Sequence, residues 1–307
     1  MTPEGEYAAA YQGAAGAFSE DAARTFVGDE AALLPCWKFE DVFLAVESGR
    51  ASHGVLPIEN TLAGSVQASY DLLAERSLTI VGETVHRISH ALLAPRRSQI
   101  ATLRQVLSHP VALAQCEEFF RRHTHLEPVP VYDTAGAVER VVREGRPEQG
   151  AIASRRAAEV YGADILAEAI EDHPENYTRF LLITTPARAA ATAAAKSAEE
   201  GHKTSLVFRV ANRAGALFEC LGHFASRGVD LAKIESRPLR GRPFEYVFYL
   251  DLLGHVSDPS VEEALAALLR STAMLRILGS YPRGNLSQLS KISLTAVGPN
   301  PYLPETV

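Results

Sequence analysis

From Glu6 to Thr185 short apolar runs alternate with amphipathic segments, the pattern of an α/β architecture. Tyr7–Tyr11 reads as a strand, Gly13-Ala-Ala-Gly16 as a turn, and a helix follows from Ser19. Ser19 is placed to cap that helix, with Glu20 and Asp21 in its first turn at the positive dipole end. Phe39, Val42, Phe43 and Val46 share one face of a helix over Phe39–Ser48. The same reading gives a buried strand Gly54–Ile58, a helix Ser65–Ala74, and one or two long strands within Leu78–Ala94. A helix over Pro110–Arg122, an extended Pro128–Tyr132, a helix Thr134–Glu144 and strands Gly150–Ser154 and Tyr177–Thr184 complete the region.

Pro186 ends the last of these strands, and the Ala-rich, polar stretch Ala187–Lys203 reads as a linker whose alanines permit some helix. Beyond it the pattern is strand Ser205–Ala211, helix Ala216–Ser226, strands Ala232–Pro238 and Tyr246–Leu252, helix Val261–Leu269 and strand Leu275–Tyr281. That order, βαββαβ, is the ferredoxin-like arrangement. The domains expected are thus 5–186, a linker 187–203, a second domain 204–283, and a Ser-, Asn- and Pro-rich tail 284–307.

Composition adds limits. The chain has 307 residues, 47% hydrophobic and 22% charged, enough for two cores. A formal charge of −7 with no block of Lys or Arg argues against nucleic acid and acidic membranes as partners. An anionic ligand would have to be held by backbone N–H groups, hydroxyls and a few placed cations. Cys36, Cys116 and Cys220 are odd in number and form no CxxC pair, which fits buried thiols in a reducing cytoplasm. No signal-like leader or bilayer-length apolar run is present, so a cytoplasmic location is expected. The ten histidines form no HExxH-type or CxxC-type ligand set and no redox cofactor is signalled, so no metal and no cofactor is expected.

Five polar segments fall at strand ends or helix starts, where α/β proteins place ligands. They are Gly13–Ser19, Pro57–Thr61 with Gly64, Ser108–Pro110, Ala153–Ser154 and Asn176–Phe180. Singly each has an ordinary reading: a tight turn, a helix cap at Ser19, Ser108 or Thr134, a solvated ion pair at Arg179. Together, YQGAAGAFSEDAA, VLPIENTLAGSV, SHPVALAQC, DTAGA, AIASRRAAEVYG and ENYTRF resemble the prephenate dehydratase family in order and spacing, from Tyr11 to Phe180.

The resemblance implies a two-lobed fold like type II periplasmic binding proteins with an active site between the lobes. Lobe 1 would be about 5–84 plus 174–186, and lobe 2 about 85–173. It implies loss of CO2 and the ring hydroxyl from prephenate, which aromatises the ring. The family's threonine in this motif is Thr178, expected to donate a hydrogen bond to the departing hydroxyl, a contribution of roughly 10²–10⁴-fold. Ser19, Asn60, Thr61, Ser108, Ser154 and Phe180 are expected at the substrate. Glu59 is left between two roles: fixing a loop through backbone N–H groups, or donating a proton from a raised pKa. Strand alternation puts Arg179 on the face opposite Thr178, where it would brace the lobes. Ala14 and Ala17 stand in a loop that often reads Gly-Pro-x-Gly-Thr/Ser, Val111 replaces a usual glutamine, and Thr61 a usual serine.

Gly215-Ala-Leu217 and Glu235-Ser-Arg-Pro238 resemble the effector motifs of the ACT domains of phenylalanine-controlled enzymes. The resemblance implies an L-phenylalanine site of Gly215, Ala216, Leu217, Asp230, Glu235, Ser236, Arg237 and Pro238. Asp230 would meet the ammonium, and helix N–H groups after Gly215 the carboxylate. It also implies pairing of ACT domains in a homodimer or homotetramer. Two other readings stay open: an arogenate dehydratase, since several segments resemble the plant type, and a solute-binding or effector-sensing protein. The second predicts a secretion signal or DNA-binding segment, and neither is visible.

Overall fold

The computed structural model describes residues 7–192, 201–239 and 244–284. Most of the expected tail, 285–307, and the middle of the expected linker, 193–200, lie outside the described residues.

The first lobe runs β1 (Tyr7–Gln12), α1 (Phe18–Val27), β2 (Leu33–Cys36), α2 (Phe39–Glu47), β3 (Ala51–Asn60), β4 (Gly64–Ser65), α3 (Gln67–Glu75) and β5 (Thr79–Arg87). The second holds β6 (Ala91–Ala94), β7 (Gln105–Ser108), α4 (Pro110–Ala114), α5 (Glu117–Arg122), β8 (Glu127–Pro130), α6 (Thr134–Glu144), β9 (Gln149–Ala153), α7 (Arg155–Tyr161) and β10 (Asp164–Ala167). The chain then returns as β11 (Tyr177–Thr184), which inserts antiparallel between β3 and β5.

The lobe 1 sheet is ordered β2-β1-β3-β11-β5, with β4 beside β3; the lobe 2 sheet is β10-β6-β9-β7-β8. β1 is apolar from Tyr7 to Tyr11 because helices cover both faces. Ala10 packs with Val42 and Phe43 of α2, and Ala9 and Tyr11 with Ala22 and Ala23 of α1.

After α8 (Pro186–Thr192) comes the expected βαββαβ unit: β12 (His202–Arg209), α9 (Ala216–Ala225), β13 (Leu231–Pro238), β14 (Tyr246–Leu253), α10 (Pro259–Ser271) and β15 (Met274–Pro282). Its antiparallel sheet, β13-β14-β12-β15, uses its two faces differently. Leu206, Phe208, Leu250 and Leu252 pack on α9 and α10. Val207, Val247, Tyr249, Leu278 and Tyr281 instead join a core cluster with Phe43, Tyr70, Leu73 and Ile80 of lobe 1. Gly279 permits this docking, since a Cβ there would lie 2.1 Å from the Ile80 carbonyl oxygen.

The two-lobed α/β architecture and the βαββαβ domain are as expected, with local differences. The Leu78–Ala94 run is two strands in different sheets, β5 and β6. The single helix expected over Pro110–Arg122 breaks at Gln115–Cys116. There the Asp172 carboxylate accepts from the N–H groups of Glu117 and Glu118, both at 2.9 Å, and so starts a new helix. Helix α1 begins at Phe18 with Ala17 at its N-cap, so Ser19 is not its cap. The short strands β2, β7 and β10 and the helix α7 carried too little periodicity to stand out.

Candidate active site

The chain crosses between the lobes twice, and the crossings bond to each other: Ile88 N–H to the Asn176 carbonyl at 2.7 Å, and Ile170 N–H to that of His90 at 3.1 Å. Beside them a cavity of about 690 Å³ opens between the lobes, a size suited to a small organic substrate. The lobes also meet at its mouth. The Trp37 and Tyr132 rings stack at 4.3 Å, and the Tyr132 hydroxyl donates to the Trp37 carbonyl at 2.8 Å. Gly16, at φ +85°, lies so close to α7 that a Cβ would sit 2.7 Å from Ala157 Cα.

Ser19, Asn60, Thr178 and Phe180 line this cavity; Thr61, Ser108 and Ser154 do not. The hydroxyls of these last three are committed elsewhere. Thr61 donates to the Glu175 carbonyl at 2.9 Å and accepts from Tyr177 N–H at 3.0 Å, tying the two motif loops together. Ser108, fully buried, donates to Ile152 O at 2.6 Å. Ser154 donates to Gly16 O across the lobes at 2.6 Å and caps α7 by accepting from Ala157 N–H. Asp133, not Thr134, caps α6: it accepts from Gly136 N–H at 2.5 Å and from Ala14 N–H of the other lobe at 3.3 Å.

Asn60 organises the cavity's polar wall. Its Oδ1 accepts from Leu62 N–H (2.9 Å) and Ala63 N–H (2.8 Å), which leaves its Nδ2 as the donor. That group donates to Thr178 Oγ1 at 3.0 Å, Asn176 Oδ1 at 2.7 Å and Tyr177 O at 3.1 Å. Thr178 Oγ1 is therefore an acceptor in this bond, and its own proton remains to donate into the cavity. Asn176 Nδ2 in turn donates to Gln115 Oε1 at 2.8 Å. His90 Nε2–H donates to the same oxygen at 2.9 Å, and burial holds the His90 imidazole below its ordinary pKa, in the neutral form. Gln115 and His90 escaped the sequence reading. Gln115, at the C-cap of α4, lines the cavity on the same helix face as Val111 four residues earlier, and the first crossing places His90.

No Lys or Arg is among the described lining residues. The donors on offer are instead backbone N–H groups at helix starts: neither α1, at Phe18 and Ser19, nor α3, after Val66, has a side-chain cap, and both open on the cavity. Among the described residues Asp133 is the one carboxylate lining it.

Glu59 and Arg179 face away from the cavity, toward the βαββαβ domain. Arg179 does not brace lobe on lobe. It donates to Glu59 at 2.6 Å and Glu83 at 3.1 Å in its own sheet and pairs with Asp251 of β14 at 2.9 Å. Lys203 holds both Glu83 oxygens at 2.8 Å, and Lys233 pairs with Glu59. Burial opposes ionisation of Glu59, but Arg179 and Lys233 outweigh it and hold the pKa below the usual carboxylate range. Glu83 is lowered likewise, against burial, chiefly by Lys203 and Arg179. The geometry favours a structural Glu59, partnered by cations rather than by backbone N–H groups.

In the βαββαβ domain, Ala216 and Leu217 line a cavity of about 180 Å³ beside the start of α9, whose N-cap Gly215 has φ +80°. The structure does not bring Glu235, Arg237 or Asp230 to it. Glu235 accepts from Ser65 at 2.8 Å and Arg237 grips Asp71 with bonds of 3.2 and 3.0 Å, both in the first domain; Asp230 is exposed. Ser236 and Pro238 lie on the open side of the edge strand β13.

The comparisons with known proteins agree with both halves. A model described as prephenate dehydratase matches residues 9–188, and one described as ACT domain matches 204–270. These matches define a two-lobed lyase carrying a C-terminal ACT domain. The chain belongs to the prephenate dehydratase family. It is 42% identical over 283 residues to arogenate dehydratase/prephenate dehydratase 2, chloroplastic, of Arabidopsis thaliana, covering 89% of this chain and 72% of that one. Among solved structures it is similar to the prephenate dehydratase of Arthrobacter aurescens in complex with L-Phe, with a TM-score of 0.80, 33% identity, and 90% and 89% of the two chains covered. It is also similar to GqqA, described as a novel type of quorum quenching acylase, with a TM-score of 0.82, 38% identity, and 91% and 98% covered. No helix among the described residues is long and apolar enough to cross a membrane.

Proposed function

We propose that this chain converts prephenate to phenylpyruvate, CO2 and water, with Thr178 as the hydrogen-bond donor to the departing ring hydroxyl. The observation that carries this is the Asn60–Thr178 bond, in which Thr178 accepts and so keeps its proton free for the cavity. The ring carboxylate loses CO2, its C–C electron pair enters the ring, and the C–O bond to the hydroxyl breaks. The hydroxide leaves along the Thr178 hydrogen bond and becomes water with a proton from solvent. Asn60 holds Thr178, and Asn176, Gln115 and His90 hold Asn60. The remaining negative charge is met by the starts of α1 and α3 and by the Ser19 hydroxyl, an arrangement that acts without side-chain cations.

Prephenate rather than arogenate suits the wall because a ketone asks only for donors, whereas an ammonium asks for a carboxylate. Asp133 is held as a tie between the lobes, one oxygen on Gly136 N–H and the other on Ala14 N–H, rather than turned to a ligand. Parallel assays should give kcat/KM about a hundred-fold higher for prephenate, as expected when a buried charge finds no partner. Equal or faster turnover of arogenate reverses the substrate assignment.

The ACT domain is the regulatory site for L-phenylalanine, bound by the carboxylate at the start of α9 and by the side chain in the adjoining cavity. Two copies pair through this domain, in a homodimer or homotetramer in the cytoplasm; the exposed Phe218 and Ile234 support pairing. Titration calorimetry should show L-phenylalanine binding below millimolar concentration, with a coupling to turnover of ~1–3 kcal/mol. An absence of heat at millimolar concentration removes the effector assignment.

A further inference from the structure

The two faces of β3 and β11 divide the work of this site. In register, Thr178 lies opposite Asn60 and Arg179 opposite Glu59. The first pair lines the cleft. The second is gripped from behind by the ACT domain, Glu59 by Lys233 of β13 and Arg179 by Asp251 of β14. The adjoining β4 is held the same way. Ser65 lines the cleft, sits in register with Glu59, donates to Glu235 at 2.8 Å and accepts from Lys233 at 3.3 Å.

We propose that Lys233 and Asp251 are positioning residues for the reaction: they set where Asn60 and Thr178 stand by holding the next residue on each strand. Neither lines the cleft. The proposal rests on the dehydratase reading above and adds a route between the two domains. Ion pairs, whether part-buried as at Lys233–Glu59 or buried as at Arg179–Asp251, add little net stability, so the consequence of these contacts is geometric. A misplacement of about 1 Å at a reacting group costs roughly a hundred-fold in rate, so a fraction of that is enough to be measured. The strand that carries the expected effector motif, β13, is also the strand that carries Lys233 and Glu235. Any shift of β13 would thereby reach the backbone beside Thr178 without crossing the lobes.

The test compares wild type, Lys233→Met and Lys233→Arg in the full chain, with kcat, KM, thermal midpoint and amide hydrogen exchange read for each. Lys233→Met is expected to lower kcat about ten-fold with KM within two-fold, and Lys233→Arg to restore it. Amides of residues 58–62 and 177–180 should exchange about ten-fold faster in Lys233→Met while the rest of the lobe 1 sheet is unchanged. Asp251→Asn should reproduce the kcat loss. Wild-type kcat in Lys233→Met overturns the proposal, as does a loss that Lys233→Arg fails to rescue and that tracks a lowered thermal midpoint. If wild type turns over neither prephenate nor arogenate, the dehydratase reading falls instead, and unchanged exchange at those amides then independently overturns the positioning role.

Discussion

Thr178→Ala is expected to fold as the parent chain does and to lose roughly 10²–10⁴-fold in kcat. Folding should survive because Asn60 Nδ2 keeps two of its three acceptors, Asn176 Oδ1 and Tyr177 O, when the hydroxyl is removed. The strand pairing around Thr178 is carried by backbone groups. KM should change less than kcat, since a bond to a departing hydroxyl strengthens in the transition state. Thr178→Ser, which keeps the hydroxyl but not the β-branched rotamer restriction, should retain much of the rate. A Thr178→Ala variant within a few-fold of wild-type kcat would remove Thr178 from the mechanism.

Arg179→Met should produce the largest loss of stability, about 3–5 kcal/mol at neutral pH. The substitution leaves Glu83 with Lys203 and the Gly284 N–H, and Asp251 without the Arg179 cation, at a seam buried between the two domains. The pH dependence follows from the direction of the carboxylate shifts. Glu59 and Glu83 are held below the ordinary carboxylate value in the folded chain. Their contribution is therefore fully present above that value, about 4.3, and is lost as pH falls through the lower folded values. In Arg179→Met the pull toward ionisation is weakened, so the deficit should be largest near neutrality and shrink on acidification below about pH 5. Denaturant unfolding at several pH values reads both features; a deficit that grew toward acid would contradict the assignment of Arg179 as their counterion.

How much was legible in the sequence differs from residue to residue, for physical reasons. The opposition of Thr178 and Arg179 on β11 follows from the two-residue period of a strand, and the structure has it. That Arg179 turns to the ACT domain does not follow, because its partners Glu83 and Asp251 come from strands far along the chain. Ser19, Thr61, Ser108 and Ser154 looked alike as hydroxyls beside a cleft. Only Ser19 lines it, while each of the others spends its proton on a carbonyl supplied by another part of the fold. The glutamate and arginine of the expected effector motif, Glu235 and Arg237, reach across the domain seam to Ser65 and Asp71, where sequence spacing offers no hint of a partner.

By itself the sequence determined the α/β rhythm, the βαββαβ unit and the motif order that places the chain in its family. Those features are written in local periods and spacings that survive without knowledge of contacts. Only the tertiary structure decided which polar groups face the cleft, that Gln115 and His90 support them, and that the linked domains share one core. A hydroxyl or carboxylate takes its role from whichever donor or acceptor the fold brings within about 3 Å, and that neighbour is generally remote in sequence. Thr178 shows both parts: its motif is legible along the chain, but the direction of its hydrogen bond is set by Asn60, which lies more than a hundred residues earlier.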